Sequence, residues 1–124
     1  MSSEKMNVQE RINYLRGLDA NDMPDRGWSV PTAAGLDWLS TSFEEYFPDD
    51  VQVTYLYNSF EGGVRAEWSL NGTHAEVQFD LVNHTAVWHA HRMSGEKCDT
   101  RTLDLSTADD WSWLVSRVRT IGGR

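Results

Sequence analysis

Four side chains of this chain have the chemistry to bind a metal ion or to transfer protons. Glu67 and Glu76 lie on either side of an Asn-Gly pair. His89 and His91 follow further along, separated by one residue, so a β-strand would point both imidazoles to the same face. Two imidazoles and a carboxylate can hold zinc or supply acid–base groups near neutral pH. Whether these groups meet depends on the strands and turns that position them.

A β-hairpin centred on Asn71-Gly72 sets the register of the predicted sheet. Asn-Gly is the strongest two-residue signal for a type I′ turn, in which both residues take positive φ. This turn places Trp68 opposite Ala75 and puts the apolar residues of both strands on one face. It also places Glu67 directly opposite Glu76 on the polar face. The predicted apolar pairs are Val64–Phe79, Ala66–Val77, Trp68–Ala75 and Leu70–Thr73.

Three more strands are expected to complete an antiparallel sheet. A strand over residues 51–57 precedes the hairpin, its valines and tyrosines alternating with Gln, Thr and Leu. A turn at Asn83-His84 is expected to set Phe79 opposite Trp88. A last hairpin around Gly95-Glu96 brings in the fifth strand. The polar face then has two neighbouring rows, the first Gln52, Glu67, Glu76, His91 and Thr100, the second Thr54, Arg65, Gln78, His89 and Thr102.

Helical periodicity predicts three helices outside the sheet. The first is a short amphipathic helix near the N-terminus. The second is expected to have Ser29 as its cap and Pro31 in its first turn, and to end at Phe47. The third, capped by Ser106 or Thr107, closes the chain. Their predicted buried stripes are Val8, Ile12 and Leu15; Leu36, Leu39, Phe43 and Phe47; and Trp111, Leu114, Val115, Val118 and Ile121.

The architecture that follows is a single α+β domain over residues 1–124. It is a five-stranded antiparallel β-meander with N-terminal and C-terminal helices packed on its apolar face and with its polar face open to water. A chain of 124 residues with 40% hydrophobic residues can bury one core. No apolar run reaches the ~18 residues of a membrane helix, and the single cysteine, Cys98, has no internal partner for a disulfide. A cytoplasmic location is predicted.

Acidic residues are concentrated in one part of the chain. The formal net charge is −8, and the segment from Asp19 to Asp50 holds eight acidic residues against Arg26 alone, which makes −7. Such a surface repels nucleic-acid phosphates and attracts a basic protein, unless it only solubilises the chain. Trp38 and Trp113 fall on helix faces away from the buried stripes, where they could anchor a partner or pack against the first helix or the loop over residues 18–30. The predicted partner-binding residues are Trp38, Glu44, Glu45, Asp49, Asp50 and Trp113.

Short motifs give the chain a likeness to a known group. Gly27-Trp28, Pro31 and the strand from Glu61 to Trp68, which reads Glu-Gly-Gly-Val-Arg-Ala-Glu-Trp, resemble the layout of a group of small, uncharacterised bacterial proteins. The likeness covers residues 10–121, and Ser29-Val30 departs from the usual Gly-Trp-Asp-Gly motif. It implies no catalytic residues. In size, charge and architecture the chain is also similar to bacterial immunity proteins and antitoxins.

Three functions are compatible with these patterns. The leading hypothesis is a non-catalytic module that binds a basic protein, in concrete terms an immunity protein, an antitoxin or another inhibitor. The first alternative is a metal-binding or hydrolytic site on the polar sheet face, and the second is a structural homodimer. An open face lacks a cleft that excludes water, so no enzyme activity, metal or cofactor is assigned. The polar-face residues singled out are Arg65, Glu67, Glu76, Gln78, His89 and His91.

Overall fold

A five-stranded antiparallel sheet, with its strands in chain order, forms the centre of the fold. The computed structural model describes residues 8–18, 29–48, 55–92 and 99–121. Within these ranges three helices pack on one face of the sheet, which confirms the predicted α+β meander. None of these helices has both the length and the hydrophobicity of a membrane span. The elements are α1 Val8–Arg16, α2 Ala33–Tyr46, β1 Tyr55–Asn58, β2 Val64–Leu70, β3 Thr73–Asp80, β4 Thr85–Arg92, β5 Asp99–Asp104 and α3 Ala108–Ile121.

The β2–β3 hairpin has the register that the sequence predicts. Asn71 and Gly72 both have positive φ, 50° and 77°, as a type I′ turn requires. Trp68 pairs with Ala75, and Glu67 pairs with Glu76. Because side chains alternate along a strand, this register puts the two glutamates on the face opposite the core.

The turn between β3 and β4 is longer than predicted. It comprises Leu81–His84 rather than Asn83-His84 alone. Asp80 holds it: one carboxylate oxygen accepts hydrogen bonds from the backbone N–H groups of Val82 and Asn83, both at 3.0 Å. His84 takes a positive φ of 58° and its N–H donates to the carbonyl of Asp80. Hydrogen bonds from the backbone of the next residues to an aspartate side chain stabilise the turn, and the residue types alone do not predict this turn.

The longer turn shifts β4 by two residues against β3. Phe79 pairs with Ala86 rather than with Trp88. A shift of two residues keeps every side chain on its predicted face, so the predicted core residues remain in the core. It changes which polar side chains are neighbours. The predicted hairpin around Gly95-Glu96 lies outside the described residues.

The first strand differs from its prediction in both register and face. Leu56 is fully buried, and Tyr57 lies on the polar face beside Arg65. The predicted alternation, which put Tyr57 with the apolar side chains, is therefore wrong. The reason lies in the connection to β2, where a turn at Phe60–Gly62 with positive φ at Glu61 and Gly62 fixes the pairing. The residues before β1, over 51–54, lie outside the described ranges.

The second helix begins at a different cap from the one predicted. Thr32 is the N-cap, and its hydroxyl accepts a hydrogen bond of 3.0 Å from the N–H of Gly35. Ser29 is therefore not the cap, and Pro31 precedes the helix rather than lying in its first turn. In α3, Thr107 is confirmed as a cap because its hydroxyl accepts from the N–H of Asp110 at 3.5 Å. The predicted stripes of α1, α2 and α3 all contact the core.

Trp38 does not project from the free side of α2. Its ring stacks on His84 with 4.1 Å between centroids and 1° between planes, and it lies 6.1 Å from the ring of Trp111. The prediction that Trp38 faces away from the core is therefore wrong. The four-residue turn after β3 carries His84 over the flank of the helix and half-buries the indole.

Trp113 is likewise packed against the sheet. Its ring meets the edge of Trp88 at 5.8 Å, and the guanidinium of Arg101 lies 4.5 Å above it. Helical periodicity places this side chain away from the buried stripe of α3, where it was predicted either to anchor a partner or to pack against the first helix or the loop over residues 18–30. Instead, the indole packs against the core. Arg101, which pairs with Trp88 on the face toward α3, covers the indole from β5.

Candidate functional site

The polar face of the sheet is the candidate functional site. All the described helices contact the opposite face, where the inward side chains are almost completely buried. On the face that the described helices leave uncovered, polar side chains half-bury one another: the exposed fractions are 24% for His74 and 30% for Glu76 and Arg65. These groups are held in place by neighbours and remain accessible to an ion or a ligand.

Three side chains of this face converge on one point. One ligand atom from each of Glu67, His74 and Glu76 lies within 4.8 Å of the other two. His74 Nε2 is 3.7 Å from Glu76 Oε1. Zinc holds nitrogen and oxygen ligands at about 2.0–2.2 Å, which puts ligand atoms of a tetrahedral site about 3.4 Å apart. The distances between these ligand atoms would have to shorten by up to about 1.4 Å to meet that geometry.

The His74 ring is oriented by a serine on the neighbouring strand. Ser69 pairs with His74, and its hydroxyl lies 3.2 Å from Nδ1. In the tautomer that carries its proton on Nδ1, the ring donates to Ser69 and turns the Nε2 lone pair toward Glu76. A metal-binding histidine usually has its second nitrogen fixed by such an outer hydrogen bond.

Glu67 is fixed by a phenol from the edge strand. The hydroxyl of Tyr57 donates a hydrogen bond of 2.5 Å to Glu67 Oε2. Burial raises the pKa of Tyr57, the hydrogen bond to Glu67 and its charge raise it further, and Arg65 partly offsets both. The phenol therefore stays protonated and remains a donor at neutral pH. The bond engages one carboxylate oxygen and sets the direction of the other.

The two carboxylates are only weakly neutralised by Arg65. Its Nη1 lies 4.0 Å from Glu76 Oε1, while its Nε donates to the side-chain oxygen of Gln78 at 3.2 Å. The hydroxyl of Ser59, which is buried, donates to the same Gln78 oxygen at 2.7 Å. Gln78 therefore holds the guanidinium away from close contact with Glu76. Like charges directly opposite each other in a sheet are unfavourable, and Arg65, 4.0 Å from Glu76, offsets their repulsion only weakly.

The structure places His89 and His91 differently from the predicted rows. His89, not His91, pairs with Glu76, because of the two-residue shift of β4. His89 Nδ1 lies 3.1 Å from the hydroxyl of Thr100 on β5. His91 pairs with His74, and the two ring centroids are 5.5 Å apart.

His74 is the site residue that sequence reasoning missed. The signal for it was present: the correctly predicted Asn71-Gly72 turn puts His74 opposite Ser69, on the same face as Glu76 and two residues before it. The predicted neighbours of Glu76 were instead the histidines of β4, because the predicted register is correct for β2–β3 and wrong for β3–β4.

The four predicted partner-binding residues that the structure describes do not form one exposed patch. Glu44 and Glu45 are exposed near the end of α2. Trp38 and Trp113 are half-buried on the flanks of two different helices. Asp49 and Asp50 lie outside the described residues. Of the predicted set, the glutamates of α2 are the side chains that the structure leaves open to solvent.

Comparisons with known proteins found no family model, curated protein or solved structure that matches the chain. The likeness to small bacterial proteins, immunity proteins and antitoxins therefore stays a prediction from the sequence. The geometry of the polar face is the basis on which a function can be proposed.

Proposed function

We propose that this protein binds a divalent transition-metal ion, zinc being the best match, on the open face of its sheet. The observation that carries this proposal is the convergence of Glu67, His74 and Glu76, with their ligand atoms within 4.8 Å of one another. Imidazole nitrogen favours zinc, copper and nickel, whereas magnesium and calcium prefer sites made of oxygen alone. The mixed nitrogen and oxygen set therefore selects the transition-metal class.

Charge supports the same proposal. The carboxylates of Glu67 and Glu76 have oxygens within 4.8 Å of each other. Two unit charges at that distance repel each other by about 3 kcal/mol at an effective dielectric constant of 20, before screening by salt. Arg65 is 4.0 Å from one of them and is shared with Gln78. A dication between Glu67 and Glu76 would replace this repulsion with two attractions.

The side chains around the site act as its outer shell. Ser69 orients His74, and Tyr57 orients Glu67. Ser69 is on β2, which borders the strand that carries His74 and Glu76, and Tyr57 is on β1, which borders β2 on its other side. Ligands held by a sheet and by outer hydrogen bonds lose little conformational freedom when an ion binds.

Calorimetric titration of zinc into tag-free protein tests the proposal. We expect one ion per chain, and loss of the binding heat in the double variant Glu67→Gln/Glu76→Gln. The matched control is Glu44→Gln/Glu45→Gln, which removes the same charge from α2 and should bind as the wild type does. Calcium and magnesium should not displace zinc. An absence of binding by the wild type, or equal loss in both double variants, would contradict the proposal.

A second candidate function is binding of a basic protein through α2. Glu44 and Glu45 are exposed in the last two turns of this helix, and its last turn has no basic residue. Acidic side chains at a helix C-terminus oppose the macrodipole, which costs about 0.3–1 kcal/mol each. Because Glu44 and Glu45 lower the stability of this helix end, a binding role is a reason for their presence there.

Affinity capture followed by reconstitution tests this second function. A basic protein retained from an extract of the source cells should be lost when the bait is Glu44→Lys/Glu45→Lys. The same protein, purified, should bind the wild type with an affinity that falls as salt is raised. The bait Glu67→Gln/Glu76→Gln is the control and should retain it. Retention by the charge-reversed bait would end this candidate.

A further inference from the structure

We infer that His91 is the fourth ligand of the proposed metal site, which makes it a closed tetrahedral site of two imidazoles and two carboxylates. This inference rests on the proposed function, because it concerns the same ion. Its basis is the pairing of β3 with β4, in which His74 and His91 are directly opposite each other on the polar face. Directly paired residues are the closest side-chain neighbours that a sheet provides.

The separation of the two rings fits a shared ion. Their centroids are 5.5 Å apart and their planes are inclined by 46°. Two imidazoles that bind one zinc ion at about 2.0–2.1 Å with a tetrahedral angle have centroids about 5 Å apart. The centroid spacing of His74 and His91 is thus within about half an ångström of the required value, and His91, which is outside the group of three converging ligand atoms, has to turn its ring to reach the ion. The inclined planes also leave the rings unstacked, so each can turn a nitrogen toward the point between them.

His89 is a less suitable fourth ligand although it is on the same strand and face. It pairs with Glu76 rather than with His74, and its Nδ1 lies 3.1 Å from Thr100 Oγ1. This contact draws the ring toward β5, away from β2 and Glu67. The ring centroid of His89 is 6.0 Å from that of His91. His89 is therefore a natural control for His91: it is the same residue type, two positions away, on the same face of the sheet.

A fourth protein ligand decides what the ion can do. Structural zinc sites have four protein ligands, whereas catalytic sites keep one position for water or substrate. With His91 bound, the ion would join β2, β3 and β4 and would have no free position for a reactive water. The protein would then store the ion, sense it or be stabilised by it, and the ion would not hydrolyse a substrate. In the variant His91→Ala the space left by the imidazole would admit more than one water, so the ion would become five- or six-coordinate.

Cobalt(II) in place of zinc reports this difference directly. Tetrahedral cobalt(II) absorbs visible light much more strongly than five- or six-coordinate cobalt(II). We expect the tag-free wild type to give the intense tetrahedral spectrum, and zinc to abolish it by displacement. His91→Ala should lose most of that intensity and bind zinc at least about tenfold more weakly. His89→Ala should keep both the spectrum and the affinity of the wild type.

Each outcome either supports the inference or overturns it. If His89→Ala lost the cobalt spectrum and the zinc affinity while His91→Ala kept both, His89 rather than His91 would be the fourth ligand, and the inference would be overturned. Wild-type behaviour in both variants would show that neither histidine of β4 binds the ion, while the loss of binding in Glu67→Gln/Glu76→Gln would still uphold the proposed function. No cobalt or zinc binding by the wild type would remove the proposed function itself. His91→Gln, compared without metal by circular dichroism and thermal unfolding, provides a second variant that keeps a polar side chain at this position.

Discussion

The phenol of Tyr57 and the hydroxyl of Ser69 prepare two side chains of the site before any ion is present. Each makes one hydrogen bond to a proposed ligand, at 2.5 Å to Glu67 and at 3.2 Å to His74. Neither group is a ligand itself. Such outer bonds restrict the rotamers of the ligands and set which nitrogen or oxygen faces the ion.

Replacing Tyr57 with Phe should weaken zinc binding without disturbing the fold. The ring of Tyr57 stays on the polar face, but Glu67 loses the donor that directs it. We expect the zinc dissociation constant, measured by calorimetry, to rise by about 10–100-fold. Tyr14→Phe, at an exposed tyrosine of α1, is the control and should have no effect. Unchanged affinity in Tyr57→Phe would mean that Glu67 needs no outer support.

Asp80 is a single residue that determines a turn. The backbone N–H of Asn83 and its side-chain amide, together with the N–H of Val82, lower the pKa of Asp80 below 3.8, and desolvation only partly opposes them. A carboxyl whose pKa is lower in the folded state stabilises the fold where it is ionised in both states. The contribution is complete above about pH 5 and is lost as the pH falls through 3.8 toward the lower folded value.

Urea unfolding of Asp80→Ala across pH tests this role. At pH 7 the variant should be about 1 kcal/mol less stable than the wild type, because three hydrogen bonds to the turn are lost. The difference should shrink steadily below about pH 4 as the wild-type carboxylate is protonated. Asp80→Asn keeps an acceptor oxygen and should lie between the two. A difference that stays constant down to pH 2.5 would show that the ionised carboxylate is not what matters.

Among the elements, the two turns between β2 and β4 show what a sequence can and cannot predict. The type I′ turn is specified by Asn71-Gly72 alone, since both residues tolerate positive φ, and its register was predicted correctly. The Leu81–His84 turn depends on hydrogen bonds from one aspartate to the backbone that follows it. Those bonds have no simple pattern of residue types, so β4 was predicted two residues out of place.

The consequences of that shift were unequal for the core and for the site. Side chains keep their faces under a shift of two, so the core was predicted from apolar alternation alone. A metal site depends on which residues are direct neighbours, and the shift replaced His91 by His89 beside Glu76 and brought His91 opposite His74. Site geometry therefore needs a register that is correct to the residue, which alternation cannot supply.

The approach of α2 to the β3–β4 turn depends on Gly35. A Cβ at this position would lie 2.7 Å from Leu81 Cβ and 2.9 Å from Thr32 Oγ1. Both distances are shorter than van der Waals contact, so the helix or the turn must move. Leu81 is buried, which leaves the turn little room to do so.

Gly35→Ala should therefore destabilise the protein although alanine is the better helix former. Overpacking costs about 1–3 kcal/mol, which exceeds the gain in helix propensity of at most about 1 kcal/mol. The free energy of unfolding, measured with urea, should fall by about 1–2 kcal/mol. Thr41→Ala, at an exposed position of the same helix, should raise it by a few tenths. A Gly35→Ala variant as stable as Thr41→Ala would show that α2 is not in close contact with the turn.

The two faces of the sheet have different roles. One face packs against the helices and forms the core, and the other carries the proposed metal site. Among the described residues, Trp68, Trp88 and Trp111 are the largest fully buried side chains, and all lie on the side that the helices cover. The polar face contributes little to this core, so its side chains can be changed with limited loss of stability. The half-burial of Trp38 and Trp113 was not predictable from helical periodicity, because their covers come from distant turns and strands.

An ion bound across three strands should stabilise the whole fold. Zinc at 100 times its dissociation constant adds about 2.7 kcal/mol to the free energy of unfolding when it binds only the folded state. The midpoint of thermal unfolding should therefore rise with zinc in the wild type. It should not rise in Glu67→Gln/Glu76→Gln. Equal shifts in both proteins would place the stabilising ion elsewhere.

Anomalous diffraction at the zinc absorption edge, from crystals of tag-free protein grown with zinc, tests the central claim most directly. The predicted result is one strong anomalous peak on the polar face, about 2.0–2.2 Å from a carboxylate oxygen of Glu67, from a carboxylate oxygen of Glu76 and from His74 Nε2. Data collected below the edge should lose the peak, which identifies the element. Well-ordered crystals with no peak between these three residues, or with zinc only at other surface positions, would contradict the claim.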